Sequence, residues 1–236
     1  MLSLVGVDVF IQSSQILRGV SLEVGASEVV CLVGRNGSGK TTTLRTVMGY
    51  LRPKSGAVEF RGQPIHGRRT HEIAMLGLGW APEDSGIFSD LTVAENIEIA
   101  TWTRPRGRAA AERVAQAYAV FPALRRHAAR RGPEMSGGER KMLSIARALA
   151  LDPEMLLLDE PFEGLSPAII PAVSAGIAAI TGLGRAILIA ESNIHHVPDG
   201  TTRLYVIERG EIIFGGRPDD AWRDPSVSRI IGGRSR

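Results

Sequence analysis

With a single cysteine in 236 residues, the chain cannot build a disulfide framework of its own. That cysteine, Cys31, lies in the apolar run Val29-Val30-Cys31-Leu32-Val33, where it reads as a small buried hydrophobe and not as a reactive thiol. Nor does charge of one sign dominate. The 28 Lys and Arg against 25 Asp and Glu leave a formal net charge of +3, too little to argue for nucleic acid through phosphate neutralisation. No stretch reaches the ~18 to 20 uninterrupted apolar residues of a membrane span, and the N-terminal Met1 to Asp8 has neither the basic nor the long apolar region of a secretion signal. These absences predict a chain that stays in the cytoplasm unless something docks it. Internal repeats and low-complexity linkers are missing too. A 44% hydrophobic composition suffices for a full core, so residues 1–236 read as one unit with a helical subdomain at about 85–150.

What is present has strand and helix periods in a telling order. Leu2 to Phe10 and Val20 to Val24 alternate like half-exposed strands. Val29 to Val33, Met155 to Leu158 and Ala186 to Ala190 are unbroken apolar runs of strand length, the pattern of parallel strands covered on both faces. A helical stretch with Leu44, Val47 and Met48 on one face follows the first run and stops at Gly49. An Ala- and Arg-rich insert, about 91–131, contains a helix over Ala110 to Phe121. Arg203 to Ile207 and Glu211 to Phe214 form a hairpin candidate turning at Arg209-Gly210. The fold class is α/β.

Between the first buried strand and its helix stands Gly34-Arg35-Asn36-Gly37-Ser38-Gly39-Lys40-Thr41, a P-loop pattern in its required context. Glycines let successive backbone N–H groups point at phosphates, at the positive end of the following helix. Lys40 would contact the β- and γ-oxygens and the Thr41 hydroxyl would ligate Mg²⁺. This predicts binding of a nucleoside triphosphate but leaves kinases, GTPases and ATPases equally open. The run Met155 to Leu158 ends in Asp159-Glu160, at the strand end where α/β ligand sites lie. There Asp159 could hold Mg²⁺ through water while Glu160 polarises the attacking water.

Ser136-Gly137-Gly138-Glu139, opening a helix shortly before the acidic strand, resembles the signature of ABC transporter cassettes. The resemblance covers nearly the whole chain. It implies a P-loop core with a mixed sheet and helices, an antiparallel β subdomain and a helical insert, with ATP as substrate and Mg²⁺ as cofactor. It also implies head-to-tail pairing, in which the signature of one cassette covers the γ-phosphate held by the P-loop of the other. Ser136 and the amides of Gly137 and Gly138 would then form a second anion cradle. Thr42, beside Thr41, is implied as a further ATP contact.

Two loops refine the resemblance. Trp80-Ala81-Pro82-Glu83-Asp84 looks like the loop joining the core to the helical subdomain, with Glu83 where most cassettes carry the glutamine that faces nucleotide and metal. Glu163-Gly164-Leu165-Ser166-Pro167 looks like the dimer-facing loop, with Ser166 where aspartate is common. Together with Ala190-Glu191-Ser192-Asn193, these resemble the ATP-binding subunits of the branched-chain amino acid, urea and amide uptake group. That group implies two membrane permease subunits, a second cassette (a paralogue or this chain itself), a solute-binding protein served indirectly, and a peripheral place on the cytoplasmic face of the inner membrane. The alternative is a soluble ABC ATPase acting on ribosomes or DNA. Such members usually have two cassettes in one chain or a long coiled-coil insert, and neither is present.

Two positions depart from the family pattern. Ile11 stands where an aromatic residue stacks on adenine, with Phe10 beside it, and Ser192 stands where a histidine senses the γ-phosphate, so that it reaches the phosphate only through water. The expectation is slow hydrolysis at this chain's own P-loop and an intact signature completing a faster site on a partner. His195-His196 and the Arg125 to Arg131 cluster read as solvated, and Trp102 and Trp222 have no assigned role.

Overall fold

The computed structural model describes residues 1–102, 108–225 and 227. In chain order the strands are β1 (Leu2–Ile11), β2 (Ser14–Val24), β3 (Val29–Val33), β4 (Ser55–Phe60), β5 (Gln63–Pro64), β6 (Leu78–Ala81), β7 (Met155–Asp159), β8 (Ala186–Glu191), β9 (Arg203–Glu208) and β10 (Glu211–Gly216). The α-helices are α1 (Lys40–Val47), α2 (Thr70–Met75), α3 (Val93–Trp102), α4 (Ala110–Val120), α5 (Gly137–Ala150), α6 (Ile170–Gly182) and α7 (Pro218–Arg223). Two compact units divide the chain: Met1–Ile73 with Ala186–Arg236, and Ala74–Arg185.

The first unit contains an antiparallel sheet in the order β2-β1-β4-β5. Leu2, Leu4, Val7 and Val9 face its core side. The step from Leu4 to Val7 breaks strict alternation because a bulge falls there, at Gly6 with φ +57°. β2 begins at Ser14, six residues before the apolar alternation becomes legible at Val20; its first half has only the adjacent apolar pair Ile16-Leu17, of which Leu17 is buried, and it bends at Gly19, φ +59°. In the same unit β3 lies between β8 and β9, parallel to both, and β10 returns antiparallel beside β9. Every residue of β3 and β8 is buried, as unbroken apolar runs require. The β9–β10 turn has positive φ at both Arg209 (+49°) and Gly210 (+85°), the type I′ geometry that matches strand twist.

In the second unit β6 pairs parallel with β7, and α5 packs close to β6. A Cβ on Gly79 would stand 3.0 Å from the Ala148 carbonyl and from Leu156 Cδ2, so a side chain there would force these neighbours to give way. Gly176 of α6 admits the buried ring of Phe121 in the same way. The predicted helix over Ala110 to Phe121 is present as α4, and residues 103–107 of the insert lie outside the described residues.

Candidate nucleotide site

The P-loop grows directly out of β3. The N–H of Gly34 donates to the Glu191 carbonyl at the end of β8 (3.1 Å), which ties the start of the loop to the neighbouring strand. A Cβ on Gly34 would meet Ser38 Oγ at 2.5 Å and collide with the Ile207 carbonyl, while Gly39, φ +113°, faces Leu17 Cδ2 at 2.8 Å. Gly37, φ +79°, has open space around it, so backbone conformation alone selects glycine there. Arg35, Asn36 and Gly37 are exposed at the rim; Ser38, Gly39 and Lys40 are buried. Lys40 Nζ donates to the Gly34 carbonyl (2.7 Å) and the Arg35 carbonyl (3.3 Å), folding over the loop. Thr41 and Thr42 follow on α1, both half-buried.

At the end of β8, Glu191 is buried and Ser192 is half-buried. Asn193 accepts from the His195 N–H (3.0 Å) and starts a short 3₁₀ turn, Ile194–His196. The two histidines are not a simple solvated pair. His196 Nδ1 lies 3.6 Å from the Glu191 carboxylate, and the His195 ring packs against Trp222 at a centroid distance of 5.9 Å. Trp222, Arg217 and Thr201 line an open groove of about 830 Å³ that shares no residue with the P-loop. Ile11, at the end of β1, is 44% exposed, and the Lys54 ammonium sits 4.5 Å over the Phe10 ring.

In the second unit β7 places Asp159 and Glu160 at its C-terminal end, both almost fully buried. Glu160 has φ +48°, a left-handed conformation rare for a side-chain-bearing residue, and its carbonyl accepts from the Glu163 N–H (3.2 Å). Strain of this kind persists where the surroundings fix it, commonly at functional positions. Glu83 is exposed, and its carbonyl accepts from Lys141 Nζ of α5 at 2.6 Å. Glu163 joins this acidic group. Partial burial, then the charges of Glu160 and Glu83, and a hydrogen bond with Glu83 hold its carboxyl above the usual range, against the opposing pull of Lys141. Sequence reading had placed Glu163 only in a loop; its contact with Glu83 spans eighty residues of chain and left no local signal.

The predicted signature helix is α5. Ser136 is its N-cap: its hydroxyl accepts from the Glu139 N–H (3.3 Å), while Glu139 Oε2 accepts from the Ser136 N–H (2.7 Å). That backbone bond is the main reason the Glu139 carboxyl sits below its ordinary range. The glycines differ. A Cβ on Gly138 would stand 2.6 Å from Ile169, whereas Gly137 is exposed and its Cβ would meet nothing closer than Arg140, at 3.9 Å. Packing within the chain therefore accounts for Gly138 and not for Gly137. Behind the turn, His127 Nε2 lies 3.0 Å from Glu139 Oε1. Nothing in the sequence distinguished His127 from the basic residues around it.

Threonine hydroxyl and carboxylate oxygens are the hard donors that Mg²⁺ takes, so Thr41, Asp159 and Glu83 suit that ion by chemistry. Among the described residues, no three His, Cys, Asp or Glu side chains are grouped to hold a metal by themselves. Mg²⁺ commonly completes its shell with substrate phosphate and water.

The family model described as ABC transporter matches residues 17–163, which span the P-loop, the signature and the acidic strand. The chain belongs to the ABC transporter family. It is the ATP-binding subunit of such a transporter and hydrolyses ATP, with Mg²⁺, coupled to transport. The cassette is 34% identical over 217 residues to the lipopolysaccharide export system ATP-binding protein LptB of Acidithiobacillus ferridurans, covering 91% of this chain and 89% of that protein. It is also 34% identical over 214 residues to the high-affinity branched-chain amino acid transport ATP-binding protein BraG of Pseudomonas aeruginosa, covering 91% of each. A crystal structure of a nucleotide-free ATP-binding cassette from an ABC transporter superposes with a TM-score of 0.85 at 26% identity, over 99% of both chains. Cassettes of this family dimerise and associate with membrane permease subunits. No helix among the described residues is long and apolar enough to cross a membrane.

Proposed function

We propose that this cassette drives an importer of small polar solutes in the branched-chain amino acid, urea and amide group. The observation carrying this reading is Glu83 in the loop before the helical insert, held through its carbonyl by Lys141 and joined by Glu163. Glutamate there, with Gly164-Leu165-Ser166-Pro167 and Glu191-Ser192-Asn193, is the combination that resembles this group, and the likeness to BraG supports it. The partners are two permease subunits and a second cassette, with a solute-binding protein delivering solute to the permeases. The cassette sits peripherally on the cytoplasmic face of the membrane, as one domain with a helical subdomain at about 85–150.

In this reading the amides of Gly34 to Lys40 wrap the phosphates, with Arg35, Asn36 and Ser38 completing the loop, Thr42 adding a contact and Ile11 supporting adenine. Lys40 turns from its loop carbonyls to the β- and γ-oxygens. Thr41, Asp159 and Glu83 are the residues that would hold Mg²⁺, which would supply charge neutralisation at the phosphates. Glu160 accepts the proton of the attacking water, and Ser192 reaches the γ-phosphate through water. Ser136, Gly137, Gly138 and Glu139 receive the γ-phosphate of a nucleotide held by the second cassette. Gly137 supports this assignment: an exposed glycine with room for a side chain suits close approach from outside.

The likeness to LptB favours a second reading, export of lipopolysaccharide. One purification separates the two. Tagged Glu160→Gln protein, drawn from its own cells with ATP and Mg²⁺ in gentle detergent, is expected to bring two polytopic permeases, a second cassette and a solute-binding protein. Permeases recovered with envelope lipid-export proteins would replace the importer by the exporter. Ribosomal or DNA-repair proteins without any permease would contradict both.

A further inference from the structure

Two side chains brace the signature turn: the Arg140 guanidinium donates to the Met135 carbonyl at 2.7 Å, and Glu139 holds Ser136. Glu139 divides its carboxylate: Oε2 accepts from the Ser136 N–H at 2.7 Å, and Oε1 lies 3.0 Å from His127 Nε2. An ionised carboxylate only accepts, so the ring meets Oε1 as a donor when Nε2 is protonated. His127 is the last residue of a 3₁₀ helix, Pro122–His127, and its Nδ1 is buried without a hydrogen-bond partner. The ring thus gives up one polar atom to burial while presenting the other to Glu139. Burying an unpartnered nitrogen is unfavourable, and general surface solvation offers no return for it.

The arrangement leaves Ser136 suitably free. Its oxygen accepts from the Glu139 N–H at 3.3 Å, a long bond, so its own hydroxyl proton is available to donate. Without His127, Oε1 of Glu139 loses its contact and the Ser136 N–H alone holds the carboxylate, which then can rotate about that one bond.

We propose that His127 is a positioning residue for hydrolysis at the partner's site: acting through Glu139, it holds Ser136 and the first amides of α5 in the geometry that receives a phosphate from the second cassette. This rests on the reading of Ser136 to Glu139 as the trans cradle. It assigns the contribution to the site completed by this chain's signature and none to the site on its own P-loop.

The test uses the complex recovered with the tagged wild-type chain. His127→Leu, which cannot donate, is expected to slow its ATPase about tenfold, because small misplacements of phosphate donors are costly. The affinity of the isolated chain for a fluorescent ATP analogue, which reports its own P-loop, should be unchanged. His127→Gln, which keeps an N–H donor, should recover most of the rate. Wild-type turnover in His127→Leu, an equal loss of P-loop affinity, or no recovery with His127→Gln would each overturn the proposal. If His127→Leu does not fold, His127→Ala takes its place, and failure of both assigns His127 a structural role only. Gly137→Asp separates the proposal from its premise. There is room for its Cβ, and a carboxylate there should repel phosphate and stop turnover. An active Gly137→Asp complex sinks the trans-cradle reading itself, whereas a dead one beside an active His127→Leu sinks only the role of His127.

Discussion

Lys40 Nζ lies 2.7 Å from the carbonyl oxygen of Gly34, so the last part of the P-loop is hydrogen-bonded to its first residue. The ammonium is almost fully buried and stands where phosphate charge would arrive. Lys40→Ala removes both the clasp and the charge. MgATP affinity should fall at least about tenfold, read by titration of the isolated chain with a fluorescent analogue; unchanged affinity would take Lys40 out of the site.

Gly37 and Gly39 both have positive φ, but only Gly39 is crowded, with Leu17 Cδ2 2.8 Å from its absent Cβ. Gly37→Ala should cost about 1–2 kcal/mol, the backbone contribution alone. Gly39→Ala should cost roughly 1–3 kcal/mol more, since packing strain adds to it. Urea unfolding of the two variants measures the difference, and equal losses would show that Leu17 yields without penalty.

How far could these features be read beforehand? β3, β7 and β8 were legible because unbroken apolar runs of that length suit strands covered on both faces, whereas β6, interrupted by Gly79, gave no such run, and Trp80-Ala81 lie on it and not in the loop the sequence suggests. Val29–Val33 has the bounds its composition suggests, and β7 and β8 extend one residue further, to Asp159 and Glu191, because the backbone stays extended past the last apolar side chain. The start of β2 was not legible, since Ile16 and Leu17 are adjacent and break the alternation of a half-exposed strand, and the segment owes its pairing to β1. Among the candidate site residues, the P-loop was legible from its spacing and strand–helix context, and Ser136 to Glu139 from their resemblance to the family signature. Glu163 and His127 were not, because each acquires its contact through the fold, from Glu83 and from Glu139.

Asp152 joins two arginines: Arg108 and Arg185 approach its Oδ1 at 2.6 and 2.7 Å. Burial raises its carboxyl pKa, but the hydrogen bond and charge of Arg108 and the charge of Arg185 outweigh it, so the net shift is downward from 3.8. A depressed carboxyl stabilises the fold above its ordinary value, and that contribution fades as pH drops through the folded-state value. Asp152→Asn keeps a residue that tolerates φ +56° while removing the charge. It should cost roughly 1–3 kcal/mol at pH 7, with the difference from wild type shrinking below about pH 4 in urea titrations. A pH-independent difference would mean that the charge has no part in it.

In the proposed reading Ser192 and Ile11 depart from the family pattern on this chain's own site, whereas Ser136 to Glu139 keep it. In the intact complex, Ser136→Ala should therefore depress ATPase activity more than Lys40→Ala does. Equal losses would remove the basis for two unequal sites.

The P-loop is completed by residues that come much later in the chain. Gly210 donates its N–H to the Ser38 carbonyl (2.8 Å), its own carbonyl accepts from Arg18 (2.8 Å), and the Ile207 carbonyl closes against Gly34. During synthesis the loop leaves the ribosome long before this hairpin exists, and N-terminal parts can fold only as far as their partners are available. A nascent chain has the motif without its back wall. A complete grip on a nucleotide thereby waits until the chain as far as Gly210 has emerged, so a cassette cut short before that hairpin would have little means of occupying a permease with ATP in hand.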